Sequence, residues 1–141
     1  MQRPDPYRAF RFRVEIDGAI EGGFQSVAGI ERQCQIEPYT EGGINHYQHQ
    51  LVTSTTYPAL VLKRGLVDAD LWDWHQGVVD GQVERKTLSV ILMDEEGSEA
   101  WRWVCADAFP SKWTMADLDA VGNNLAMESI EFVHQGLTRQ G

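Results

Sequence analysis

The stretch "AFRFRVEID" (9–17) switches between apolar and polar at every step, with Phe10, Phe12, Val14 and Ile16 set against Arg11, Arg13, Glu15 and Asp17. A period of two suits a strand with one face on a core and the other in water, and a helix cannot use it. Asp17-Gly18 and Gly22-Gly23 read as turn punctuation, after which "FQSVAGI" (24–30) resumes an extended path. "ERQCQIEPY" (31–39) continues as a strand, with Cys34 and Ile36 on one face and Gln33, Gln35 and Glu37 on the other. A turn at Glu41-Gly42-Gly43 leads into "INHYQHQLV", "STT" and the apolar run "YPALVLKRGL" (57–66). Further on, "KTLSVILMD" and "EAWRWVCAD" pair across the turn "EEGS", "AFPSKWT" (108–114) is a short extended piece, and "NNLAMESIEFVH" (123–134) is the last strand. In that last strand Ala126, Ile130 and Phe132 oppose Ser129 and Glu131.

One segment breaks the rule. Residues 68–80 carry helical spacing: Leu71, Trp74, His75 and Val78 share a face, Trp72 and Val79 flank it, and Ala69, Asp73 and Asp80 point away. Asp68 suits the N-cap, Asp70 the positive end of the helix dipole, and Gly81 the stop. No repeat or linker divides the chain, so the expectation is one all-β domain over residues 1–141, a sandwich or barrel with one α-helix.

Composition narrows the function. A net charge of −9 argues against a protein that grips nucleic acid by neutralising phosphates. The start, "MQRPDPYRAFRF", lacks a signal-peptide core, and no run approaches the ~20 apolar residues of a membrane span. A soluble chain without membrane anchoring, made and assembled in the cytoplasm, is expected. Cys34 and Cys105, with no CxxC pattern, are expected as two buried free thiols.

The candidates for chemistry do not converge. His75 and Asp73 diverge on the helix, so they form no catalytic pair, and the stripe reads as packing. Trp72, at its edge, is the residue open to a partner. His46 and His49 are three apart on a strand, on opposite faces, which does not suit a shared metal. His134 stands alone, and nothing supplies a four-ligand zinc pattern. Gly22 to Gly29 fails the spacing of a dinucleotide loop, and Ser26, Ser54 and Ser89 sit in no nucleophile motif. Asp94, Glu95 and Glu96 are solvated charge at a hairpin tip. No catalytic, metal or cofactor site is expected.

The hairpin around Glu41-Gly42-Gly43 is different. Its strands are polar on both sides, and Cys34, Ile36, Ile44 and Tyr47 are too few to anchor them to their own core. A long edge of that kind suits pairing with another chain, and head-to-tail pairing closes rings.

Taken together, "DPYRAFRFRVEIDG" (5–18), "GGFQSVAGIE" (22–31), "YPALVLKRGL" (57–66), "LWDWHQGVVDGQVERK" (71–86), "RWVCADAFPSKWT" (102–114) and "NNLAMESIEFVHQGL" (123–137) resemble the tail tube proteins of contractile phage-type machines. The resemblance spans nearly the whole chain. It implies a non-enzymatic inner-tube subunit with a β-barrel-like sandwich and one flanking helix, in a phage tail or an extracellular contractile injection system. Six-membered rings would stack into a rigid tube inside a sheath, with baseplate, spike and terminator proteins as partners and DNA or protein cargo in the lumen. The resemblance also implies roles for particular residues. Tyr39, Thr40, Glu41, Gly42, Gly43, Ile44, Asn45, His46 and Tyr47 would form an arm reaching neighbouring subunits and the adjacent ring. Asp73, Gln76 and Asp80 would face the sheath, and Gln33, Gln35, Glu37, Ser129 and Glu131 are candidates for the lumen, because their strands keep apolar residues on the other face. A tube-initiating paralogue at the baseplate, or a secreted ring-forming carrier of the type VI haemolysin-coregulated kind, is the alternative.

Overall fold

The computed structural model describes residues 10–39, 49–118 and 127–140. Among them, nine strands and one helix form: β1 (Phe12–Ile16), β2 (Ala19–Ala28), β3 (Gln33–Tyr39), β4 (His49–Thr56), β5 (Leu60–Val67), α1 (Ala69–Val79), β6 (Lys86–Met93), β7 (Glu99–Met115), β8 (Glu128–Val133) and β9 (Gly136–Gln140). Strands run in the order β6-β1-β2-β5-β8-β7-β9, and β6 also pairs with β7. That extra pairing closes six strands into an antiparallel barrel. β3 and β4 stand apart as a two-stranded sheet.

The alternation in β1 does what its period requires. Val14 and Ile16 are buried, and Val14 pairs with Val90 of β6 while Ile16 pairs with Leu88. Asp17 and Gly18, with φ of 49° and 91°, make the two-residue turn between the paired Ile16 and Ala19. Such turns match the twist of the strands they join. The interior is filled by Phe24, Leu60, Leu62, Leu88, Val90, Cys105, Ile130 and Phe132, with Leu71 and Trp74 of the helix.

Gly22 and Gly23, expected to turn the chain, lie buried inside β2. Their missing side chains serve close approach. A Cβ on Gly23 would sit 2.8 Å from the Phe10 ring, and one on Gly65, the partner of Phe24 across β5, would strike the Gly23 carbonyl oxygen. Glycine in a strand interior marks such contacts as readily as it marks turns.

Two further expectations change. "AFPSKWT" is no separate piece but the second half of the 17-residue β7. The strand passes through a bulge where Asp107 takes a φ of 52°. Pro110 is accommodated beside another register shift against β8; a bulge is where a strand tolerates a residue with no N–H. The second change is that β8 is not the last strand. The chain reverses at His134 and Gln135, and β9 pairs with Arg102–Ala106 of β7. Leu137 is the one buried residue of β9, so its sequence carried almost no alternation to read.

The helix is as expected. Asp68 Oδ1 accepts the Leu71 N–H at 2.9 Å, and Gly81 follows the end with a φ of 88°. Leu71 and Trp74 are buried, Trp74 lies 5.9 Å from the Phe132 ring centroid, and its Nε1 donates to the Glu84 carbonyl. His75, on the packed face, is held by the Pro110 carbonyl at 3.2 Å from Nδ1. Asp73 is exposed. Trp74→Ala should therefore cost roughly 3–5 kcal/mol through lost burial and a residual cavity. Asp73→Ala should fall within about 0.5 kcal/mol of the parent. Chemical denaturation of the two variants checks the assignment of faces.

Candidate assembly surfaces

Every residue of β3 and β4 is exposed. The pairing runs from Gln33↔Thr56 to Tyr39↔His49, with a shift after Gln35 that places Ile36 opposite Val52 and Glu37 opposite Leu51. Side chains directly opposite share a face. Ile36 and Val52, 50% and 63% exposed, are therefore apolar groups on one side of this arm. Tyr39 and Leu51, each 48% exposed, stand on the other.

Gln33, Gln35 and Glu37 lie on the Tyr39–Leu51 side, where Gln35 Nε2 donates to Thr56 Oγ1 at 3.3 Å. The opposite face carries Cys34 and Ile36. It packs against no core, because the arm is a separate sheet. Cys34 is accordingly exposed, 3.8 Å from Thr55 Oγ1, rather than a buried thiol. Cys105 is buried, which pushes its thiol up to about 11. Tyr39 closes the described part of the arm, its ring 6.5 Å from that of His49. Thr40, Glu41, Gly42, Gly43, Ile44, Asn45, His46 and Tyr47 lie outside the described residues, as does Ala126.

Ser129 and Glu131 sit on β8 in the barrel, pointing away from the buried Ile130 and Phe132. Glu131 pairs with Lys112 at 3.8 Å. They share no sheet with Gln33, Gln35 and Glu37.

On the helix, Asp73, Gln76 and Asp80 are all exposed, and Gln76 Nε2 donates to Asp80 Oδ1 at 3.3 Å. Trp72 is 38% exposed and not idle, since its ring meets Trp113 edge-on at 4.6 Å. Trp113 in turn donates to Glu128 Oε1, whose other oxygen accepts the Val67 N–H at 2.6 Å. This chain of contacts fastens helix, β5, β7 and β8 together.

Sequence reasoning missed one cluster. The carboxylates of Glu21, Asp68 and Asp70 converge, with an oxygen of each within 4.8 Å of the others. Glu21 is carried there by β2, whose carbonyl at Glu21 accepts the Asp68 N–H at 3.1 Å. Desolvation, followed by a hydrogen bond to Asp68 and repulsion from both aspartates, raises Glu21 to about 7. No spacing in the sequence relates a strand residue to a distant helix cap. His134 is buried with Nδ1 against the Gly136 carbonyl, and desolvation lowers its pKa. Among the described residues, no helix is long and apolar enough to cross a membrane.

A closed antiparallel barrel, one capped outer helix and a projecting arm define the tail-tube fold. The family model for the T4-like virus tail tube protein gp19 matches residues 8–138, and the chain belongs to that family. It is a structural subunit of the inner tail tube of a contractile phage tail or phage-tail-like injection system. Among solved structures, a chain of the anti-feeding prophage (AFP) baseplate is similar at 24% identity and a TM-score of 0.71, over 100% of this chain and 98% of that one. A chain from the sheath/tube terminator of the extracellular contractile injection system PVC gives 24% identity and a TM-score of 0.74, over 99% of both. Hcp1 from Flavobacterium johnsoniae is a weaker likeness, at 15% and 0.54 over 94% of this chain and 96% of that one, so the carrier alternative fits less well. Curated proteins return no match.

Replacing Ile36 and Val52 together by Ser should leave the isolated subunit within about 0.5 kcal/mol of the parent, because neither side chain is in a core. Ile130→Ser, in the barrel, should cost several times more. Urea unfolding of both variants reads the difference.

Proposed function

We propose that copies of this chain, each a single tail-tube domain over residues 1–141, form six-membered rings that stack into the tube, with the β3–β4 arm as the principal assembly element. The observation that carries this is the arm's exposed apolar groups on both faces, Ile36 and Val52 on one and Tyr39 and Leu51 on the other. A ribbon of two strands is marginal in water without a body against it. A body on each side implies contact with more than one copy. The similarity to a chain of a baseplate described as 6-fold symmetrised supports six subunits per ring.

In this reading Tyr39 to Tyr47 form the reaching part of the arm, and Asp73, Gln76 and Asp80 present an acidic, hydrogen-bonding strip to the sheath. Gln33, Gln35, Glu37, Ser129 and Glu131 are the lumen candidates; on the arm's shared face a neighbouring copy would cover the end that carries Tyr39 and Leu51 and leave the amide-bearing remainder to the lumen. Cargo, DNA or protein, would meet mainly amide, hydroxyl and carboxylate groups, with few apolar ones to stick to. Likenesses to chains from sheath–tube, terminator, cap and baseplate structures support sheath, spike, baseplate and terminator proteins as partners. The role is mechanical and needs no catalysis or cofactor, and assembly would take place in the bacterial cytoplasm.

Ordering the arm costs ~1–2 kcal/mol per residue in backbone entropy, which contacts repeated around a ring would offset. Replacing residues 39 to 50 with a short Gly-Ser turn should leave a subunit with an intact β signal that builds no long tubes. Circular dichroism beside electron microscopy tests this. Loss of the β signal would make the segment part of the fold's core, and normal tubes would remove it from the interface.

A further inference from the structure

At the root of the arm, where Ile30 to Arg32 lead from β2 into β3, the chain forms a cleft of about 450 Å³ with β9 and the first half of β7. Ile30, Trp103 and Leu137 give it an apolar floor continuous with the core. Arg32 and Arg139 line it as well, both exposed, and Glu31 is its one acid. Among the described residues, neither guanidinium has a carboxylate partner. Arg32 Nη1 donates to the Leu137 carbonyl at 3.0 Å, and Arg139 lies over the Trp101 ring, 4.6 Å from its centroid. Arg102, by contrast, holds Glu15 and Glu99 at once. In a chain with 21 acidic and 12 basic residues, two neighbouring cations without an acid are an exception.

The same chain carries a group that fits this cleft. Past β7, Leu118 is 73% exposed, more than any other large apolar side chain among the described residues, and the exposed Asp117 precedes it. The two stand away from the cleft of their own subunit. Ala28↔Val61, Leu60↔Phe132 and Phe132↔Pro110 mark one end of the paired strands β2, β5, β8 and β7, and residues 30–32 follow that end. Gly22↔Val67, Gly65↔Glu128 and Glu128↔Met115 mark the other end, which Asp117 and Leu118 follow. The eight residues of β5 separate these ends by about 23 Å.

We propose that Leu118 of one copy inserts into this cleft of the next, over Ile30, Trp103 and Leu137, with Asp117 meeting the guanidiniums of Arg32 and Arg139. An apolar centre with a polar rim is the usual anatomy of a protein contact, and a guanidinium can meet a carboxylate through two N–H groups at once. Two different surfaces meet, so the contact is heterologous. Every copy offers both halves, and the joint repeats from copy to copy. This contact rests on the tube reading, within which it is a second joint apart from the tip of the arm.

Charge reversal in the full-length chain tests it. Arg32→Glu with Arg139→Glu, and separately Asp117→Arg, should raise the concentration needed for assembly about tenfold or more, because like charges then face each other. The chain with all three substitutions should assemble again, since each joint regains opposite charges. Sedimentation velocity and electron microscopy read assembly, and circular dichroism reads the fold of each variant. Leu118→Cys with Arg139→Cys, in a Cys34→Ser background, should cross-link copies in series on oxidation, whereas either cysteine alone should yield no series. An assembling chain that gives no such series would overturn the joint, as would reversed variants that assemble at the parent's concentration. A parent that stays monomeric would remove the tube reading and the joint together, so the two failures are distinguishable.

Discussion

The pairing of β6 with β7 is the interaction on which the rest depends. Without it the barrel strands would form an open, twisted sheet with β6 as a bare edge. Closure turns that edge inward and creates an interior that Phe24, Leu62, Val90 and Phe132 fill. β7 makes closure possible by its length. Its first half pairs with β6 and β9, and its second half with β8. The bulge at Asp107 lies between these halves and lets one strand bend around the barrel. Gly23 and Gly65 let neighbouring backbone and rings approach where a Cβ would not fit.

Closure also decides what is left over. Among the described residues, β3 and β4 belong to no barrel, and β9 pairs on one side only. Open backbone edges thus fall in the arm and on β9, while exposed apolar side chains occur both on the arm, as Ile36 and Val52, and on barrel strands, as Ile20, Leu66 and Val133. A subunit built to be one unit of a larger assembly gains from that division. The body carries its own core, and β3 and β4 add no side chain to it. The helix sits between these extremes. Leu71 and Trp74 tie it to the core, Trp72 and Trp113 brace it, and its outer face is left to acidic and amide groups.

The net charge of −9 is distributed with consequences of its own. Where carboxylates are solvated, as at the Asp94 hairpin, they cap turns: Asp94 Oδ1 accepts both the Glu96 and Ser98 N–H groups. Where one is paired across strands, as Glu15 is with Arg102, it braces the barrel. Where the fold crowds acids together, as at Glu21, burial and the neighbouring aspartates push the carboxyl up to about 7.

Much of this could be read directly from residue order. The alternation in β1 and β8, the Asp17-Gly18 turn, the Asp68 cap and the helix stripe of Leu71 and Trp74 are local patterns, set by the two periodicities of the backbone. So was the arm's lack of a core, since a scarcity of apolar residues is visible without a structure. What the order could not settle were matters of distance. Whether Gly22-Gly23 turns or packs depends on the Phe10 ring and on β5. Whether Pro110 ends a strand depends on a bulge opposite β8. Gly136–Gln140 becomes a strand because β7 offers it an edge, with Leu137 as its one buried side chain. Whether Cys34 is buried depends on what the arm's face packs against, and the upward shift of Glu21 depends on burial and on a helix cap brought to it from far along the chain. Periodicity and caps act over a few residues and are written in the sequence; close approach, edge pairing and carboxylate crowding arise between distant segments, and only the tertiary structure brings those together.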